Sequence, residues 1–283
     1  MFGLNADELM DILDISEYTS YKIVQRMKTM NVFLKHIYEY EQKGIRIITK
    51  YDEEYPQILV KKMKKNAPTC LFVVGNLPVE FEGISLTGLQ TVTKKEKGCI
   101  KRLVDKINNE NKWLISNDCK GVDQEAFQYA LHHHGHIISF LCEKMEDKAM
   151  EYKRYIRSGN LVLLSAIDPI KRFTVTHAID RNSYVCGLSK FQVVVSSKIN
   201  SGATWFTIMH NMHHNWTISL VIDNDCFGNQ RLLEMKTTPL YVKNIVSDMS
   251  FEMIYNENKK EEVEEEINID QMSIFEFIGD ANG

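Results

Sequence analysis

GISLTG at residues 83–88 is a short apolar strand that runs straight into a glycine, and the pattern repeats down the chain. WLISN (113–117), HIISFL (136–141), LVLLSAI (161–167), FQVVVSS (191–197), ISLVID (218–223) and PLYV (239–242) follow, separated mostly by stretches of helical periodicity. Strands alternating with helices imply a doubly wound, mostly parallel α/β sheet. Ligands of such sheets lie beyond the carboxyl ends of the strands, so binding chemistry is sought in the residues just after each strand.

Working outward, the Rossmann-like domain is expected over residues 44–244. It opens with GIRIITKYDEEYPQIL (44–59), a short strand and a Tyr-Pro break, and APTCLFVVGN (67–76), an apolar strand ending in glycine. Residues 1–43 read as a small helical module: Asn5 and acidic residues open LNADELMDILDI, and the next stretch has apolar residues at helical spacing. Two roles stand open for it, a cap on the main domain or a separate nucleic-acid-contacting module. Composition then marks 245–269 as a flexible acidic linker, and 270–283 as a tail in which apolar residues return.

The net charge of −4 over 283 residues divides unevenly. From Phe251 to Gly283 there are 10 acidic and 2 basic residues, a charge of −8; residues 1–250 hold 32 basic and 28 acidic, a charge of +4. A mildly basic body is compatible with phosphate ligands. Cysteines 70, 99, 119, 142, 186 and 226 are scattered singly and suggest neither a disulfide framework nor a zinc site. The apolar runs fall short of a membrane span and the start lacks the basic flank of a secretion signal, so the expectation is a cytoplasmic protein.

Gly88, Gly121 and Gly202 each follow a predicted strand, where a missing side chain lets backbone N–H groups approach an anion and a helix start favours it. Lys120 and Arg181 supply charge, and Gln90, Asn182 and Ser201 supply hydrogen bonds to phosphate or base edges. A bland reading stands beside this one: Gly88, Gly121 and Gly187 as turn residues, Asp123 as a helix cap. For Arg181 and Lys120, read as lying at strand ends with no adjacent carboxylate, function is the stronger reading.

Five segments in one order resemble the DprA/Smf family of DNA-processing proteins, over about 70% of the chain. The entry segment is similar to the family's Ile-Thr-x-x-Asp-x-x-Tyr-Pro run and following Gly-Asn strand. SNDCKGVDQEAFQYAL (116–131), IDRNSYVCGLS (179–189), VVVSSKINSGA (193–203) and FGNQRLL (227–233) are similar to its later motifs. The resemblance implies single-stranded DNA binding by homodimers that hand the strand to the RecA recombinase, with no cofactor. Departures are Gly88-Leu89-Gln90 for the family's Gly-Ser-Arg, Ser183 for a second arginine, Ser196 for a carboxylate and Phe127 for a histidine. Each lost phosphate contact weakens binding and flattens its salt dependence. The lost arginines favour a rival reading, a sensor or processor of nucleotides or their derivatives, with a role in phage defence.

No catalytic residues are identified: no Ser/His/Asp arrangement is found by spacing, and the Gly-Gly-x-Gly-Thr run of related phosphoribohydrolases is absent. The runs at His132–His136 and His210–His214 read better as helix C-terminal residues, with Gly135 as a left-handed cap, than as metal ligands. In the tail, Gln271, Ile274 and Phe275 lie in a pentapeptide resembling the motif by which replication proteins dock into the DNA sliding clamp. A latch folding back on the body is the equal alternative, and a clamp-tethered adaptor whose body binds protein is a third overall function.

Overall fold

The computed structural model describes residues 4–28, 30–169 and 171–258. The chain divides into two compact units, residues 1–47 and 48–283. The first contains helices α1 (Ala6–Leu13), α2 (Glu17–Lys28) and α3 (Met30–Gln42). Asn5 Oδ1 accepts from the Glu8 N–H at 3.0 Å and Glu8 Oε2 accepts from the Asn5 N–H at 2.8 Å, a reciprocal cap that starts α1.

In chain order there follow β1 (Arg46–Thr49), α4 (Gln57–Met63), β2 (Cys70–Val74), β3 (Gly83–Thr87), α5 (Lys94–Asn109), β4 (Trp113–Ser116), α6 (Val122–His132) and β5 (His136–Leu141). Then come α7 (Met145–Glu151), α8 (Lys153–Arg157), β6 (Leu161–Ser165), α9 (Val175–Leu188), β7 (Ser189–Val194), α10 (Gly202–His214), β8 (Ile218–Ile222), α11 (Phe227–Glu234), β9 (Thr238–Leu240) and α12 (Val242–Ile245). The sheet order is β1-β2-β6-β5-β4-β3-β7-β8-β9. Pairings from β6 through β9 are parallel, and β2 lies antiparallel to β6. The sheet is thus the mostly parallel, doubly wound one that the alternation of strands predicts.

The entry motif has a local physical basis. Asp52 Oδ2 accepts from the Thr49 N–H at 2.6 Å and the Thr49 hydroxyl at 2.8 Å, which turns the chain out of β1 and holds the carboxyl below its ordinary pKa. Tyr55 then enters the core, its hydroxyl donating to the Pro68 carbonyl at 2.6 Å. Pro56 sits at the start of α4, where a missing N–H costs nothing.

Register partners Ile115, Ile138 and Val162 run across β4, β5 and β6 as a fully buried row, in one core cluster with Leu59 and Met63 of α4 and Val185 of α9. The same row continues into β3 and β7 as Ser85 and Gln192.

Two expectations are corrected. The chain after Asn244 is no linker as far as Asn258: residues 251–258 are helical, with Phe251 and Ile254 buried. Glu110 caps that segment by accepting from the Phe251 N–H at 3.1 Å, and Lys106 donates to the Ser247 carbonyl at 2.9 Å. At the end of α6 the left-handed residue is His134, φ +56°, and not Gly135. Gly135 instead packs where a Cβ would press on Asn108 and Ala130.

Among the described residues no helix is long and apolar enough to cross a membrane, and no group of His, Cys, Asp or Glu could hold a metal ion. All six cysteines are free. Gln271, Ile274 and Phe275 lie outside the described residues.

Candidate functional site

The strand order reverses at β3: β4, β5 and β6 are laid down to one side, β7, β8 and β9 to the other. At such a switch point the loops leaving neighbouring strands diverge and leave a crevice. Here the loops after β3 and β7, with the loop after β4 and the helices α9 and α10, enclose a cavity of about 400 Å³.

The cavity gathers seven of the eight residues singled out in the sequence: Gly88, Gln90, Lys120, Arg181, Asn182, Ser201 and Gly202. Gly121 is the exception. Its φ of +101° and ψ of −138° suit glycine, and a Cβ there would collide with the Leu89 carbonyl oxygen. Its small size thus brings the start of α6 against the loop after β3. Gly88 likewise makes room for Val122, and its carbonyl accepts from the Thr204 hydroxyl at 2.8 Å. Gly202, with φ of +81° at the first turn of α10, has open space where a Cβ would stand.

Arg181 and Asn182 lie within α9, not at a strand end. Arg181 as a residue is buried, 8% exposed. Its Nε and Nη2 donate to Asn182 Oδ1 at 3.3 and 3.1 Å, and Nη1 donates to the Cys142 sulfur at 3.2 Å. Asn182 Oδ1 also accepts from Asn117 Nδ2 at 3.0 Å, while its own Nδ2 donates to the Thr207 hydroxyl at 3.2 Å. Among the described residues Arg181 forms no ion pair. Burial pushes the thiols of Cys142 and Cys119 up, so both are neutral near pH 7 and supply no counter-charge. Its opposite charge is Coulombic only, from the buried Asp123 carboxyl, which the guanidinium holds lower than burial alone would; a bound anion would add a direct partner.

Asp123 serves the scaffold. Its carboxyl accepts from the Ser116 hydroxyl at 3.0 Å and from the Asn117 and Cys119 N–H groups at 3.2 and 2.9 Å, which fixes the loop after β4. Burial pushes it up to about 6 against those three hydrogen bonds. Lys120 and Lys198 are exposed at the cavity and form no ion pair among the described residues, so the site is electropositive. Lys198 was not among the sequence candidates, although it stands three residues before Ser201.

Two further residues fix the rim. Asn229 is fully buried; its Nδ2 donates to the carbonyls of Val195 at 3.1 Å and Ile222 at 3.0 Å, and its Oδ1 accepts from the Ser197 hydroxyl at 2.9 Å. It ties the ends of β7 and β8 together below the loop that carries Lys198. Ser196 accepts from the Leu89 N–H at 3.3 Å, linking that strand end to the loop after β3.

The family model of DNA recombination-mediator protein A matches residues 46–250. No curated protein matches the chain in sequence. Among solved structures it is similar to DNA processing protein A (DprA) from Streptococcus pneumoniae, with a TM-score of 0.67, 19% identity, and 88% of each chain covered. It is also similar to DNA processing protein A from Helicobacter pylori, whose structure was described for its single-stranded DNA binding mode; the TM-score is 0.59 at 17% identity, covering 71% of this chain and 92% of that one. With the family model spanning most of the chain and the same fold in both structures, the chain belongs to the DNA recombination-mediator protein A family.

Proposed function

We propose that this protein binds single-stranded DNA through the switch-point cavity, without catalysis, in DNA recombination, uptake or protection in the cytoplasm. The observation that carries the reading is Arg181, a buried residue at the mouth of neighbouring strands whose guanidinium has a thiol and an amide oxygen as hydrogen-bond partners and no carboxylate in direct contact among the described residues. A phosphodiester supplies an anion in direct contact, to which a planar guanidinium fork is suited. Lys120 and Lys198 draw the strand in, and the open approach at Gly202 lets the backbone come close. A cavity of about 400 Å³ has room for one unpaired nucleotide, and the relative from Helicobacter pylori is one described as binding single strands.

Labelled single-stranded DNA titrated at low salt tests this. Binding is expected, with a clear loss in the Arg181→Ala/Lys120→Ala variant; no binding, or binding unchanged in that variant, overturns it.

By family resemblance the protein acts as a homodimer and passes its strand to RecA. The motif at Gln271, Ile274 and Phe275 would tether it to the sliding clamp; deleting residues 270–277 and measuring clamp binding tests that part separately.

One observation favours a second reading, a nucleotide-binding sensor: Gln90, uncharged, stands at the cavity where the family's arginine is expected. That reading predicts stabilisation by a free nucleotide, about 3 kcal/mol at 100-fold above its dissociation constant.

A further inference from the structure

The helical unit at the start of the chain is electrically divided. Residues 1–17 carry Asp7, Glu8, Asp11, Asp14 and Glu17 with no lysine or arginine, a side-chain charge of −5. Residues 18–38 carry Lys22, Arg26, Lys28 and Lys35 with no carboxylate, a side-chain charge of +4. The acidic part holds α1, and the basic part holds nearly all of α2 and the first turns of α3.

Each part also leaves apolar side chains uncovered. Residues 22, 23, 26 and 27 fall on one face of α2 by helical spacing. Ile23 and Met27 of that face line an open groove of about 470 Å³ with Met30 and Phe33 of α3, and Lys22 and Arg26 line it too. At the end of α1, Ile12 and Leu13 are 63% and 40% exposed, between Asp11 and Asp14, while Leu9 packs inward.

These facts select the occupant of the groove. Its four apolar residues offer the polar edge of a base no hydrogen bond, so burying a base there leaves polar atoms unpaired. Groove against groove would set four cations against four. The matching surface is a pair of aliphatic side chains flanked by carboxylates, which is what the end of α1 presents. That end stays exposed in its own chain, so the groove it meets belongs to another copy.

We propose that the α1 end of one copy docks into the α2–α3 groove of a second copy. Ile12 and Leu13 enter among the apolar residues, and Asp11 and Asp14 meet Lys22 and Arg26. The two surfaces differ, so the contact is head-to-tail: each copy keeps one surface free, and copies join into rows or rings. This contact is separate from the homodimer that family resemblance implies, and it does not draw on the single-strand reading.

Sedimentation velocity of the intact protein at rising concentration tests it. The mass of the native protein is expected to grow with concentration, and raising NaCl from about 0.05 M to about 0.5 M should raise the concentration needed about tenfold. Asp11→Lys/Asp14→Lys removes one surface and Lys22→Glu/Arg26→Glu the other, all at exposed positions. Each variant alone should stay at one mass, and an equal mixture of the two should associate, since each supplies the surface the other lacks. All four reversals in one chain should restore growth. A native mass independent of concentration overturns the proposal whatever the variants do, and so does growth that persists in either variant alone. If the groove variant loses DNA affinity while growth of the native protein is insensitive to salt, a nucleic acid is the occupant and the proposal falls.

Discussion

The side chains of Arg181 and Asn182, neighbours on α9, are clasped to each other: the guanidinium donates twice to the Asn182 amide oxygen. That clasp fixes the fork without neutralising it. Arg181→Met is therefore expected to lower single-stranded DNA affinity about tenfold to a hundredfold, the worth of a charge-assisted contact. Thermal stability should change little by comparison, because methionine keeps the apolar bulk and the guanidinium's hydrogen-bond partners are neutral. Binding isotherms and melting curves on the same preparation separate this from a structural role, in which both would fall together.

Gly121 and Gly202 should respond differently to alanine. At Gly121 the backbone conformation alone costs about 1–3 kcal/mol, and the collision with Leu89 adds to it, so the melting temperature should drop sharply. At Gly202 the conformation costs about 1–2 kcal/mol with no collision, and the new methyl stands in open space. Its main effect should be on DNA affinity, checked by the same titration.

Asp123 provides a pH signature. Its carboxyl is pushed up from 3.8 to about 6, so the folded state holds the proton more tightly than the unfolded one. For an acid shifted upward, the stabilising contribution is full below the unfolded value and is lost as pH rises through about 6. Melting temperature followed between pH 4 and 8 should carry this decline in the native protein, and Asp123→Asn should remove it; identical pH profiles would contradict the assignment.

The 251–258 helix is predicted to belong to the folded body. Phe251→Ala should cost about 3–5 kcal/mol, as for other fully buried aromatic residues, and Glu110→Ala should expose the Phe251 amide to faster hydrogen exchange. Neither change should alter DNA affinity directly, since neither residue lines the cavity.

Most of the sheet was legible because each strand is a short apolar run ended by glycine or a polar residue, a signal that survives without knowledge of neighbours. The glycines and polar residues after those strands could be collected for the same reason. Arg181 was read at a strand end, whereas it lies inside α9, a helix whose packing on the sheet the local sequence does not display. Ser85 and Gln192, which also line the cavity, escaped because an isolated polar residue in an apolar strand is common. Their place side by side depends on register, which pairs residues over 100 positions apart. The helix at 251–258 was hidden by the glutamates that follow it, which dominate the local composition and obscure the spacing of Phe251 and Ile254.

The central claim is most directly tested by titrating the intact protein, at several salt concentrations, with single-stranded DNA, the matching duplex and free nucleotides. Tightest binding to the single strand is predicted, with affinity falling as salt rises and a slope of about −0.7 for each phosphate held. Arg181→Ala should reduce that slope. Binding of a free nucleotide with no measurable affinity for the strand at low salt would contradict the account.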